Sequence, residues 1–171
     1  LTAAMLSEGT KSRDAEALSN ALQLLGTTVS AGVGSESGSI GFVSTTGKFA
    51  ATLDILGDML LNSTFPPEAL ERLRAQRLVA LNQAKEQSGA ISGRVFSRVL
   101  YGEVHPFGRS QTEASIKAIT RGDVVAFHER YYKPGRAVIT VVGDVTSMAI
   151  RPVIERGLAS WRAGGERPTF S

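Results

Sequence analysis

At 171 residues, 42% hydrophobic and 20% charged, the chain is long enough to bury one sizeable core and too short for two large domains. Its zero cysteines exclude disulfides and thiolate metal sites. The net charge of +3 is spread over interspersed Lys, Arg, Asp and Glu with no basic block, which argues against nucleic-acid binding, and no long apolar run or leader-like pattern occurs in it.

The first stretch, "LTAAMLSEGT", reads as the end of a helix: Leu1, Met5 and Leu6 share an apolar face, and Gly9 supplies a terminator. Ser12 and Asp14 offer N-caps to a short amphipathic helix with Ala15, Leu18, Leu22 and Leu25 on one stripe, ending at Gly26. "TTVSAGVG" (27–34) and "SIGFVSTT" (39–46) are rich in β-branched residues, and the "SESG" between them predicts an antiparallel hairpin. Phe49, Leu53, Leu56 and Leu60 mark a second amphipathic helix, stopped by "NSTFPP".

The longest helix is expected from Glu68 to about Gln87, with Leu70, Leu73, Ala80, Leu81 and Ala84 on its apolar stripe and Arg77 snorkelling or paired in its middle. "AISGRVFSRVL" predicts another helix, and "YGEVHPFGRS" a loop punctuated by Pro106 and two glycines. Thr120 with Asp123 reads as an N-cap opening a helix that carries Val124, Phe127, His128 and Tyr131 on one face, closed by "KPGR". "AVITVVGD" (137–144) is the strongest candidate for a buried strand. "TSMAIRPVIERGLASW" follows as a helix bent by Pro152, and the end of the chain has linker composition. The order of elements implies an α+β fold, an α/β sandwich of helices against a mixed, mostly antiparallel sheet, in one domain over residues 1–163 with a linker or tail at 164–171. Three strands are few for so many helices, so further strands are expected on the N-terminal side.

No assembled chemistry is visible. His105 and His128 are the only imidazoles, separated by a loop and a helix, and a catalytic zinc needs three protein ligands. His105 in "HPFGR" suits a loop histidine bonded to main chain, and His128 a core histidine on an apolar face. There is no G-x-S-x-G elbow, and the glycines of "GVGSESG" lead into a strand rather than a helix, which suits a hairpin better than a phosphate cradle. Phe127, Tyr131, Tyr132 and Trp161 read as core packing. The residues themselves therefore nominate no catalytic, cofactor-binding or metal-binding side chain.

The succession "AMLSEGTKSR", "LGTTVSAGVG", "FPPEALERLRAQRL", "LYGEVHPFGRS" and "SIKAITRGDVVAFHERYYKPGRAVITVVGDV" resembles, over essentially the whole chain, the first domain of the pitrilysin/insulinase family of zinc metallopeptidases, which includes mitochondrial processing peptidase. In active members the first of these helices bears an inverted H-x-x-E-H motif, and a Glu on a later helix completes the zinc site. Carried over by Met5, Leu6, Gly9 and Thr10, the resemblance puts Ala4 at the second histidine, Ala3 at the catalytic Glu, and Val79 and Ala80 near the paired acids of the long helix. It thus implies an inactive half whose partner is a homologous zinc-bearing half or subunit. An unfolded peptide would occupy the chamber between them, with zinc only on the active side. The alternative it leaves is a structural or assembly subunit without a proteolytic role. The resemblance favours a bacterial periplasm, with cytoplasm or mitochondrial matrix also open.

Overall fold

The computed structural model describes residues 1–161, and the expected linker at 164–171 lies outside them. Helix α1 (Thr2–Met5) is a single turn, yet Met5 and Leu6 are completely buried. Gly9, at φ +139°, then reverses the chain into a region that disfavours any side chain. The following loop is stitched to the end of a later helix, with Lys11 N donating to Asn62 O (3.0 Å) and Thr64 N donating to Gly9 O (3.1 Å). The Asp14 carboxylate accepts from Ala17 N at 2.8 Å and so caps α2 (Ala15–Leu24), which points Leu18 and Leu22 inward.

Strands β1 (Val29–Val33) and β2 (Gly38–Phe42) form the expected antiparallel hairpin, with Val29 opposite Phe42 and Val33 opposite Gly38. Val29, Ala31 and Ile40 lean on the core, and α1 packs against β1. Helix α3 (Phe49–Asn62) contributes Leu53, Ile55, Leu56, Met59 and Leu60 to that core. It is followed by Phe65, buried at a positive φ of +50°.

Pro67, whose missing N–H is no loss at the first helical position, opens α4 (Pro67–Ala84). Only Ala69 and Leu70 of that helix are buried. Leu73, Leu81 and Ala84 are half-buried, while Ala80 is exposed, so the apolar stripe expected along α4 fades beyond its first turns. Arg77 is paired, donating from Nε to Gln111 Oε1 at 2.9 Å. Helix α5 (Ser88–Tyr101) has the predicted extent but buries no residue, leaving Val95, Phe96 and Val99 facing water.

A short helix, α6 (Glu113–Ala118), occupies a stretch without a periodic signal of its own; six residues are too few to show one. Both α6 and α7 (Arg121–Tyr131) open with a capping box, Thr112 with Ser115 and Thr120 with Asp123. Arginine clamps seat them, since Arg74 Nη1 donates to Lys117 O (2.7 Å) and Arg121 donates from Nε to Phe65 O and from Nη2 to Thr64 O (both 2.8 Å). Helix α8 (Ser147–Gly157) is capped by Thr146, carries Pro152 inside, and packs on α3.

The stretch 137–144 departs from expectation. It joins no ladder among the described residues, and Val138, Ile139 and Val142 are 87%, 52% and 92% exposed. Its β-branched composition reports the capacity to pair; a strand also requires a neighbour, and the observed sheet is a two-stranded hairpin rather than a larger mixed one. The α+β class holds, with helices predominating.

Helices α3 and α8 meet where both lack a side chain. A Cβ on Gly57 would lie 3.1 Å from Gly157 O, and one on Gly157 would lie 2.9 Å from Leu53 Cδ2. Gly57→Ala is expected to destabilise the protein by about 1–3 kcal/mol, because backbone must shift to admit the methyl group. Gly122→Ala in α7, where a Cβ meets nothing closer than Thr120 Oγ1 at 3.5 Å, should instead be neutral or stabilising by about 0.5 kcal/mol. Urea denaturation of the two variants reads the opposite signs.

Candidate functional site

The region singled out by sequence is the α1 stub, the turn after it, and the α4 face it meets. Helix α1 packs against α4 and α7. Ala3 is half-buried and Ala4 exposed on α1, while Val79 (57% exposed) and Ala80 stand exposed on α4, one turn past Arg77. Methyl and isopropyl groups are all that these four positions present.

Beside this face the chain builds a polar knot on Asp58 of α3. Its Oδ2 accepts from Thr10 Oγ1 (2.8 Å), Ser12 Oγ (2.6 Å) and Arg13 Nη1 (2.9 Å), and its Oδ1 accepts from Asn62 Nδ2 (2.9 Å). Burial pushes the Asp58 carboxyl up, but the hydrogen bonds from Ser12, Thr10 and Asn62, with the Arg13 charge, outweigh it and hold the group below the ordinary carboxylate range. Three of these bonds come from the loop and the fourth from Asn62 of α3 itself, so the carboxylate ties the loop to the helix. Sequence patterning had not marked it, because a polar residue 48 positions from its partner Thr10 carries no local signal. An open cleft lies next to the knot, lined by Glu8, Lys11, Arg13, Thr64, Glu68 and Arg72, with Glu8 and Arg72 joined as an ion pair.

The two histidines have separate surroundings. His105 is exposed on the loop after α5, where its Nδ1 accepts from Phe107 N (3.2 Å) and its ring lies 5.3 Å from Tyr101 and 5.2 Å from Phe107. His128 is half-buried on α7. Its Nε2–H donates to Leu60 O at 2.8 Å, while its ring meets Phe65 edge-on and stacks on Tyr132. Burial pushes the His128 imidazole down, with Lys133 adding to the effect and the Leu60 carbonyl and Glu129 opposing it. Among the described residues no three His, Cys, Asp or Glu side chains come close enough to share a metal ion.

Residues 1–100 match the family profile described as Insulinase (Peptidase family M16). The chain belongs to the M16 peptidase family. Residues 118–170 match the profile of the M16 inactive domain. Among relatives, the uncharacterized zinc protease YmxG of Bacillus subtilis is 27% identical over 125 residues, covering 69% of this chain and 30% of its own length. An uncharacterized zinc protease of Mycobacterium leprae is 32% identical over 95 residues, which is 54% of this chain and 21% of that protein. The chain thus spans less than a third of these M16 relatives. In structure it is similar to an M16 inactive domain from Pseudomonas fluorescens, with 25% identity and a TM-score of 0.88 over 99% of this chain and 42% of that one. The periplasmic protease PqqL of Escherichia coli shares the fold, with a TM-score of 0.80 and 17% identity over 99% of this chain and 20% of that protein.

Because the folded state holds His128 neutral at a depressed pKa, the unfolded chain binds more protons as pH falls below about 6.5. The stability tied to His128 is therefore complete above that pH and is lost progressively beneath it. Chemical denaturation at pH 7.5, 6.0 and 5.0 should show the decline. His128→Gln, which keeps an N–H donor without a titrating ring, should flatten that part of the curve while leaving the Asp58 part, which lies at lower pH, in place.

Proposed function

We propose that this chain is the catalytically inert domain of a two-part M16 peptidase, which works by pairing with a homologous zinc-bearing half and enclosing a peptide between them. The observation that carries the reading is the contrast at α1: Met5, Leu6, Gly9 and Thr10 keep the packing and the turn, while Ala3, Ala4, Val79 and Ala80 stand where the family resemblance places the general base and zinc ligands. None of those four side chains has a donor atom, so they do not fit a zinc ion. Even a ligand supplied elsewhere would face a site without its base. His128 offers no substitute, because its Nε2 is committed to Leu60 O.

The pairing is supported by the similarity to halves of two-part proteases. The chain matches the first half of PqqL with a TM-score of 0.77, covering 99% of this chain and 38% of that half. The M16 inactive-domain profile at residues 118–170 agrees with an inert role. In this reading zinc sits only on the active side, and the substrate is an unfolded peptide long enough to reach from one half to the other.

The test uses the full-length protein, purified alone and then mixed with a zinc-bearing M16 homologue of the same organism. Alone, it should hold no stoichiometric zinc and cleave no unfolded reporter peptide. Mixed, the pair should cleave the peptide at a rate above that of the homologue alone, and chelation should abolish the activity. Zinc at one per chain together with chelator-sensitive cleavage by the protein alone would overturn the reading. Stable assembly into a larger complex with no effect on cleavage would favour a structural subunit instead.

A further inference from the structure

Helix α7 grips the connection between α3 and α4 at two points. Near its start, Arg121 donates from Nε to Phe65 O and from Nη2 to Thr64 O, both at 2.8 Å. Two turns later the His128 Nε2–H donates to Leu60 O at 2.8 Å, and its ring meets Phe65 edge-on with 5.2 Å between centroids. Val124, between the two points, is the one buried residue of the helix. Beyond His128 the contact continues through Tyr132, which stacks on the imidazole at 4.9 Å, donates from its N–H to His128 O (3.0 Å) and accepts from Trp161 Nε1 (3.1 Å). The gripped connection is itself strained. Phe65 has φ +50°, the one positive value at a non-glycine among the described residues, and such a conformation persists only while its surroundings hold it.

The two points differ in chemistry. A guanidinium keeps its charge at any pH the fold meets, and an imidazole does not. Because His128 already donates from Nε2, an added proton goes to Nδ1 and puts a positive charge on a half-buried ring between Phe65 and Tyr132. Leu60 of α3, Phe65 of the connection and the residues of α1 offer that charge no titratable side chain. The charges that do reach the ring, Glu129 and Lys133, act in opposite directions, and burial outweighs the help from Glu129 and the Leu60 carbonyl. A charged ring is relieved by turning out to water, which gives up the Leu60 bond and the Phe65 contact and leaves the Arg121 bonds intact. We propose that Arg121 and His128 form a two-point latch on the α3–α4 connection, permanent at Arg121 and acid-sensitive at His128, so that protonation of His128 frees the end of α7 and the turn at Phe65 while the rest of the core stays closed. The latch involves no zinc chemistry and does not depend on the chain being an inert peptidase half.

The experiment follows amide hydrogen exchange and the His128 ring Cε1–H signal of the full-length protein by NMR between pH 7.5 and 5.0, with exchange corrected for its intrinsic dependence on pH. Amides of residues 127–132 should exchange through an opening at least about tenfold more frequent than that of the α3 core and nearly independent of urea, since it exposes little surface. That opening should become up to about tenfold more frequent for each pH unit below about 6.5, one proton being taken up as the ring leaves. As it titrates, the His128 signal should lose the displacement caused by the Phe65 and Tyr132 rings. His128→Gln should remove the pH dependence, and Arg121→Met should make the opening about tenfold more frequent at every pH while keeping its slope. Exchange of 127–132 at the rate and urea dependence of the α3 core would overturn the proposal. So would a pH dependence that survives in His128→Gln, or a His128 ring in the wild type that titrates while keeping its displaced signal.

Discussion

The complete burial of Met5 and Leu6 is the constraint on which the rest of the architecture depends. A helix of one turn cannot stabilise itself, because its hydrogen bonds barely offset the ordering of its backbone. It persists because α4, α7 and β1 close around it, and two apolar side chains of this size contribute on the order of 1.5–3 kcal/mol each when removed from water. Met5 and Leu6 share one buried cluster with Leu18 of α2, Met59 of α3, Phe65, Leu70 of α4 and Val124 of α7. A helix that in active relatives would have to hold chemistry is here held by packing on its inner face, while its outer face carries alanines.

The Asp58 knot gives the same stub a fixed exit. Gly9 and Thr10 leave the core together, and three donors from the loop converge on one carboxylate oxygen, so the turn after α1 is tied to α3 by charge-assisted bonds as well as by main-chain bridges.

Much of this was legible in the letters. The stripes of α2 and α3, the hairpin around "SESG", the Thr120 and Asp123 cap and the stop of α3 at "NSTFPP" are local signals, and each folds as its spacing predicts. What escaped was non-local. The Asp58 knot joins positions far apart in sequence, and the arginine clamps from Arg74 and Arg121 end on carbonyl groups, which every residue has. Composition also overstated burial in two stretches. Ala80 lies on an apolar stripe by periodicity and is exposed, and 137–144 reads as a core strand and has no neighbour.

These exposed stretches have one physical cause. Hydrophobic periodicity encodes which face of an element is to be covered, and it says nothing about which element covers it. In α3 the answer lies within the described residues, and the stripe is buried. In the second half of α4, in α5 and in 137–144 it does not, and apolar groups such as Val95, Val99, Val138 and Val142 remain in water.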